Sequence, residues 1–457
     1  MKKMFFVHLF LVFIANSFAQ NISQRIENAY RQFEADSQMR HAISSLYVIN
    51  AKTGEVVFEK NSQIGLAPAS TQKIITATTA FELLGKSYQY KTVFAGDENQ
   101  IIVAGSYDPT FGSWRYMQTK DSAILSLMLE RLKLAGIRRV KQFIVYTNDD
   151  GVPPSGWITE DIGNYYGAPA RRFNWKENQY DLKFIPGKNV GDPASLDTSA
   201  YAYWWFILNG VKTGKVGSGD NAYIYFVPGS MERLVEGTIP AGVSRFSISG
   251  ADPLPNKTFS LALQEFMLKN KMFVGRSDVF TVASPSLLEP SIKNKPLFSY
   301  SSPSLDSIIY WFLQKSINLY GEALIKTLAY ERNGFGSTDS GVAIVKNFWK
   351  QKGLDDEELN IVDGSGLSPQ NRVTTHAQVE ILKYAKTKDW FPYFYEALPT
   401  YNGMKMKSGS ISDVKGFCGY QKSADGNEYI FSFLVNNYNG RSSAVVNKMY
   451  KVLDILK

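Results

Sequence analysis

Cysteine and histidine are nearly missing from this chain of 457 residues: it has one cysteine, Cys418, and three histidines, His8, His41 and His376. A single thiol excludes an intramolecular disulfide. An exported chain of this size must therefore hold itself together through hydrophobic cores. Cys418 lies in Gly416-Phe417-Cys418-Gly419-Tyr420, which reads as a strand, where a thiol packs as a small apolar group. Histidines this sparse offer no clustered zinc ligands. No G-x-S-x-G elbow accompanies them as a sign of a Ser-His-Asp triad. His41 and His376 read as surface or capping residues.

Long apolar runs are scarce as well. The only candidate, Met4 to Ile14, is too short to span a bilayer. It follows Lys2-Lys3 and precedes Ser17-Phe18-Ala19, which together make a secretory signal over residues 1–19, cleaved near Ala19. The expectation is an exported, periplasmic protein with no transmembrane anchor. Its 50 basic and 42 acidic side chains leave a formal charge of +8. They are scattered rather than gathered into arms, and no nucleic-acid motif is present. Such a surface suits an anionic cell wall or membrane surface, or is simply solvated. No cofactor and no metal are expected.

Residues 43–60 predict a β-hairpin around Ala51-Lys52-Thr53-Gly54, followed by a helix from Thr71 to Leu84 with Gly85 as its stop. Residues 92–185 mix strands with a helix at 121–135, and 196–250 is strand-rich and aromatic, including Tyr201 to Phe206. Another helix fits 258–269. Longer helices return after 300, marked by Leu305 to Leu313 and Leu319 to Tyr330. Gly416 to Tyr420 and Tyr429 to Val435 read as neighbouring strands. Ser443 to Lys457 reads as an amphipathic helix that packs on a sheet. The chain thus predicts an α/β (α+β) catalytic domain from residues 20–91 plus 280–457. Residues 92–279 form an insertion, of two subdomains, with a β-rich unit near 186–250.

Ser70-Thr71-Gln72-Lys73 carries the chemistry. Side chains three apart on a helix share a face, so the Lys73 amine reaches the Ser70 hydroxyl. A second S-x-x-K, Ser412 to Lys415, shows how readily the pattern arises alone. The first is followed, in order, by Ser316-x-Asn318 and Lys407-Ser408-Gly409. Two further K-T-G runs, Lys52 to Gly54 and Lys212 to Gly214, come before the S-x-N element and are set aside on order. A serine hydroxyl needs a base, and a lysine serves only while its amine is neutral. Burial and a neighbouring cation such as Lys407 push it that way. Ser316 is placed to relay a proton, and Asn318 to hold Lys73 and a substrate amide. Lys407 and Ser408 are placed to bind a carboxylate. Gly409 clears space for a substrate lying along the strand, and the backbone N–H groups of Ser70 and Ser410 form an oxyanion hole.

With these elements in place, the chain resembles the penicillin-binding proteins of low molecular mass, class C: the D-alanyl-D-alanine carboxypeptidases/endopeptidases of the peptidase S13 family. Leu66 to Lys73, Gly105-Ser106-Tyr107-Asp108-Pro109-Thr110-Phe111, Gly156-Trp157, Ala168-Pro169, Ser249 to Pro253 and Asp363-Gly364-Ser365-Gly366-Leu367-Ser368 are similar to its motifs. The resemblance implies a penicillin-binding-protein/β-lactamase-like transpeptidase fold with inserted domains. It implies an acyl-enzyme on Ser70, peptidoglycan stem peptides as substrate and β-lactams as covalent inhibitors. It also implies that Asp161 reaches the site to meet a stem diamino acid. Ser316-Ile317-Asn318 and Lys407-Ser408-Gly409 depart from the usual Ser-Asp-Asn and Lys-Thr-Gly but keep the reacting groups. A β-lactamase or esterase, and a non-catalytic wall-binding protein, are the alternative readings.

Overall fold

The structure is a computed structural model that describes residues 21–147, 151–197, 206–227, 230, 232–281 and 295–457. The expected signal over residues 1–19 and the aromatic run 201–205 lie outside the described residues. Six antiparallel strands form one sheet in the order Thr400–Tyr401, Met404–Ile411, Val414–Lys422, Glu428–Asn436, Ile43–Asn50 and Val56–Lys60. Both ends of the chain therefore meet in one sheet, with Ile43 to Asn50 paired along its length to Asn436 to Tyr429.

Helices cover both faces of this sheet. On one, Ile22–Glu34 and Ser442–Leu453 pack Tyr30, Phe33, Val445 and Met449 against Phe431, Phe433 and Phe417. The C-terminal helix is thus a packing helix, as its apolar stripe predicts. The other face carries Lys73–Leu84, Leu305–Gln314, Asn318–Asn333, Thr338–Gln351 and Thr375–Lys386 around Ile74, Phe81, Phe312, Leu324, Trp349 and Leu382. Helix Lys73–Leu84 is buried from Lys73 to Phe81, so it lies inside this layer rather than on it. Gly85 ends it at φ 82°, a left-handed turn that glycine adopts without strain.

The stretch between Leu84 and Leu305 builds two further cores. A five-stranded sheet runs Phe273–Thr281, Arg139–Thr147, Gln100–Ala104, Lys91–Gly96 and Pro296–Ser301. Helices Asp121–Leu134 and Pro255–Lys269 cover it through Met128, Leu132, Phe259 and Leu263. Strand Pro296–Ser301 pairs with Lys91–Gly96, so this sheet crosses both places where the sequence puts the borders of the insertion. Helix Pro255–Lys269 starts three residues before its predicted start, with Pro255 in the first turn, where its missing N–H costs nothing. A smaller β unit holds Phe206–Gly214, Glu232–Pro240 and Asn221–Phe226 beside Phe246–Ala251, Gln179–Ile185 and Ser195–Leu196, around Val211, Ile224 and Leu182.

Helix Asn318–Asn333 meets the loop after Asn360 backbone to backbone. A Cβ on Gly364 would lie 2.3 Å from the Gly321 carbonyl oxygen, and one on Gly321 would lie 2.8 Å from that of Gly364. No rotamer relieves a clash with main chain. Gly364→Ala is expected to lower stability by about 1–3 kcal/mol, read as a lower urea midpoint at unchanged slope. A midpoint equal to that of the parent refutes the close contact.

Candidate active site

The Ser70 turn is held by its neighbours rather than by its own helix. Ala69 sits at φ 45°, an uncommon left-handed conformation for a residue with a Cβ. A short 3-10 turn, Ala69–Gln72, then leads into helix Lys73–Leu84. Gly366 abuts it so closely that a Cβ there would lie 1.9 Å from the Ala69 carbonyl oxygen. Strand Met404–Ile411 presses on the other side, where a Cβ on Gly409 would lie 2.5 Å from the Pro68 oxygen and 2.9 Å from the Ser70 nitrogen. The space that Gly409 clears is therefore taken by the backbone of the Ser70 turn. This corrects the expectation that substrate fills it. Its consequence is to bring the backbone N–H of Ser70 beside the strand that carries Ser410.

Lys73 is fully buried, and its Nζ lies 2.9 Å from Ser70 Oγ, 2.7 Å from Asn318 Oδ1 and 2.6 Å from the Ser365 carbonyl oxygen. A neutral amine has two N–H donors and one lone pair. Asn318 Oδ1 and the Ser365 oxygen can only accept, so they take both donors. The lone pair is left for the Ser70 O–H. The Asn318 amide is fixed in this sense because its Nδ2 donates to the Tyr166 carbonyl at 2.8 Å. Burial holds the Lys73 amine well below the ordinary lysine range, and the Lys407 ammonium adds to that, against the pull of Asp363 and Glu322.

The loop that supplies the Ser365 carbonyl is pinned by the carboxylate of Asp363, which is fully buried. Asp363 accepts from Gln72 Nε2, Trp157 Nε1, the Gly366 and Ser368 N–H groups and Asn371 Nδ2, all within 3.1 Å. Glu322, one turn after Asn318 and also buried, accepts from the Gly364 N–H. Burial first, and the nearby Asp363 second, push its carboxyl up to about 8, so it is largely uncharged at neutral pH. A second anion there would hold Lys73 as an ammonium.

Lys407 is 1 % exposed and donates to the Ser408 carbonyl at 2.9 Å. Burial pushes its amine down to about 7. Its cross-strand partner is Cys418, which is fully buried, with its thiol pushed up by the same burial. The cysteine is core, as its strand context predicts. Short strand Thr400–Tyr401 pairs only with Met404 and Lys405. From Lys407 onward the outer edge of strand Met404–Ile411 has no strand beside it among the described residues, so its backbone groups are available to an extended peptide.

The structure gathers most of the residues singled out in the sequence. Ser70, Lys73 and Asn318 form one hydrogen-bonded cluster, and Lys407 acts on it through charge. Ser316 sits just before the Asn318 helix at φ 56° and is not bonded to Ser70 or Lys73. Ser408 and Ser410 alternate with Lys407 and Gly409 along the strand and so lie on its other face. Asp161 lies on the short helix Thr159–Ile162 and is tied to the cluster indirectly: its carboxylate bonds Tyr166, whose carbonyl holds Asn318. The rival patterns separate by position. Lys415 follows a hairpin turn, Lys52 to Gly54 form another, and Lys212 to Gly214 end a strand of the small β unit. His376 is half-buried and bonded to Glu358. Ser365, Glu322 and Tyr166 are the site residues that the sequence analysis misses. Asp363 to Ser368 stands out in the sequence as a D-G-S-G-L-S motif, but nothing in it says that a carbonyl faces Lys73. No group of metal-binding residues occurs among the described residues.

A sequence model of the D-Ala-D-Ala carboxypeptidase 3 (S13) family matches residues 26–455. A D-alanyl-D-alanine carboxypeptidase of an Actinomadura species is 25% identical over 450 residues, covering 90% of this chain and 81% of that one. The D-alanyl-D-alanine carboxypeptidase DacB of Haemophilus influenzae is 23% identical over 434 residues, covering 85% and 84%. Among solved structures, penicillin binding protein 4 (dacB) from Haemophilus influenzae superposes with a TM-score of 0.78 at 18% identity, covering 94% of this chain and 98% of that one. The fold is therefore of the penicillin-binding-protein/β-lactamase type, as expected.

Lys407 also makes a prediction about stability. Its pKa is lower folded than unfolded, so at low pH the folded state carries a buried charge that costs free energy. That cost disappears as pH rises from about 7 to the unfolded value near 10.4. Lys407→Met is expected to stabilise the protein by a few kcal/mol at pH 6 and by much less at pH 9.5. Urea unfolding at the two pH values measures this, and a gain independent of pH overturns the reading.

Proposed function

The chain belongs to the D-Ala-D-Ala carboxypeptidase 3 (S13) family, and from that premise we propose that it is a serine DD-peptidase of peptidoglycan in which Ser70 is the nucleophile and Lys73 its base. One observation carries the assignment of roles: a buried lysine amine, its pKa held down by that burial, in hydrogen-bond contact with a serine hydroxyl and with two groups that can only accept.

The reaction follows from the geometry. Ser70 Oγ attacks the carbonyl of the penultimate D-Ala while its proton passes to Lys73. The resulting oxyanion lies between the N–H groups of Ser70 and Ser410, an effect worth roughly 3–4 kcal/mol per donor. The buried ammonium at Lys73 is tolerated because Asp363 lies nearby. The proton then reaches the leaving amine, with Ser316 as relay, and the terminal residue departs. Water hydrolyses the acyl-enzyme with Lys73 again as base. Lys407 holds the free carboxylate of the substrate, whose charge favours the protonated form of Lys407. β-Lactams present the same carboxylate and a strained amide, so they acylate Ser70.

Asp161 would read the substrate side chain. Its carboxyl is pushed up to about 6, mainly by burial, and no cation offsets that. The free amine of a stem diamino acid would supply one. The domain organisation belongs to the same reading: the catalytic unit comes from both ends of the chain, and the insertion ends after Pro296–Ser301. So does the location. Among the described residues no helix is long and apolar enough to cross a membrane, and the periplasm is where the substrate is.

Three experiments test this. Fluorescent penicillin should label the parent and leave Ser70→Ala unlabelled; a labelled Ser70→Ala variant refutes Ser70 as nucleophile. Mass spectrometry of muropeptides incubated with the parent should show loss of one terminal alanine, conversion of dimers to monomers, or both. Asp161→Asn should lower kcat/KM on substrates with a free diamino-acid amine by about tenfold and on amine-acetylated ones by little. Equal losses on both remove Asp161 from substrate reading.

A further inference from the structure

Away from the Ser70 cluster, the segment Gly112–Asp121 and strands Gln179–Ile185 and Phe246–Ala251 enclose a cleft of about 590 Å³. That volume lies within the roughly 300–1,000 Å³ typical of small-molecule sites. It is lined by an aromatic ring, Trp114, and by polar side chains that include Gln179, Ser249, Lys120 and Lys183.

Trp114 is 47 % exposed and stands beside a largely buried ion pair. The Arg115 guanidinium lies 5.4 Å from the Trp114 ring and 5.6 Å from that of Trp311, so the cation is shared between two indoles. Arg115 in turn makes a forked pair with Glu177, Nε to Oε1 at 2.7 Å and Nη2 to Oε2 at 3.0 Å. Glu177 is fully buried and also accepts from Ser113 Oγ and Tyr320 OH. Lys176, Glu177 and Asn178 stand at φ 51°, 54° and 50°, three consecutive left-handed residues that carry side chains. Strain of that kind persists only where the surroundings impose it. An exposed indole beside a cation that is itself fixed by a buried carboxylate offers a contact surface of defined chemistry.

The rim supplies charge. Asp121 pairs with Lys176 at 3.2 Å, and Asp181 accepts from Ser249 at 2.6 Å. Lys120 and Lys183 have no ion pair among the described residues. The cleft therefore offers one flat apolar face, amide and hydroxyl groups, and two unpaired cations. A pyranose matches this set: its C–H face covers an indole, and its hydroxyl and amide edge meets polar side chains. Carboxylates on its substituents meet the lysines.

We propose that this cleft is a second binding site, for the amino-sugar glycan strand of peptidoglycan, with Trp114 as the stacking platform and Lys120 and Lys183 reading carboxylates on its substituents. The inference rests on the peptidoglycan reading above and adds the polymer backbone to the stem peptide as a recognised feature. The site is linked to the catalytic layer, because Tyr320, which holds Glu177, lies on the helix that begins with Asn318. Holding the strand at a distance from Ser70 raises the local concentration of its stem peptides.

The test uses the whole mature protein and two probes: peptide-free glycan strands, which carry lactyl carboxylates, and neutral N-acetylglucosamine oligomers. Calorimetry should show saturable binding of both, with the carboxylated strands bound more tightly and losing affinity as salt rises. Trp114→Ala should weaken both by about tenfold or more. Lys183→Glu, on an exposed strand position and safe for folding, should weaken only the carboxylated strands. No saturable binding of strands by the parent overturns the proposal, as does unchanged affinity in both variants. Release of D-Ala from a soluble pentapeptide, measured on the same sample, separates the two readings. Strand binding with neither D-Ala release nor cleavage of a soluble crosslinked dimer refutes the peptidase reading, and either peptidase activity without strand binding refutes only the glycan site.

Discussion

The hydrogen-bond count at Lys73 is the constraint on which the rest of the site depends. A buried amine with two pure acceptors and one hydroxyl in reach can lose its proton without an unmet hydrogen bond, its lone pair then falling to Ser70. Every neighbour can be understood from that requirement. Asn318 must present its oxygen, and Tyr166 sees to it. The Ser365 carbonyl must face inward, and Asp363 pins its loop with five N–H donors. Glu322 must be near enough to hold Gly364 and yet uncharged, which burial achieves.

Close backbone contacts make this arrangement possible. Gly366 and Gly409 clamp the Ser70 turn from two sides, and Gly321 and Gly364 let the Asn318 helix touch the loop that faces Lys73. Such a site is assembled from main chain as much as from side chains. It therefore tolerates Ser-Ile-Asn in place of Ser-Asp-Asn, because the middle residue is not one of the groups that bond Lys73. The cost falls on stability: two lysines are held away from water, each with a depressed pKa.

Much of this is legible in the chain before any coordinates. The Ile43–Asn50 hairpin, the helices after Lys73 and Asn318 and the paired strands near Cys418 follow from periodicity and turn residues, because each is a local pattern with a strong apolar face. The borders of the insertion were less legible. Strand Pro296–Ser301 pairs with Lys91–Gly96, far upstream in the chain, and strand pairing leaves no mark on either sequence segment alone. The meaning of Gly409 was also hidden, since an absent side chain makes room for whatever the fold brings there.

The sequence by itself singled out the groups proposed to react and their order: Ser70 with Lys73, then Ser316 and Asn318, then Lys407. It could do so because functional groups are properties of residue types, and a helical spacing of three brings a serine and a lysine together locally. Only the tertiary structure decided that the Lys73 amine is buried against Ser70, Asn318 and the Ser365 carbonyl with its pKa held down, and that Trp114 stands beside a second cleft. Both depend on carbonyls, carboxylates and rings from segments hundreds of residues apart. Protonation, strain and rigidity are set by what surrounds a group, and those surroundings exist only once the chain has folded.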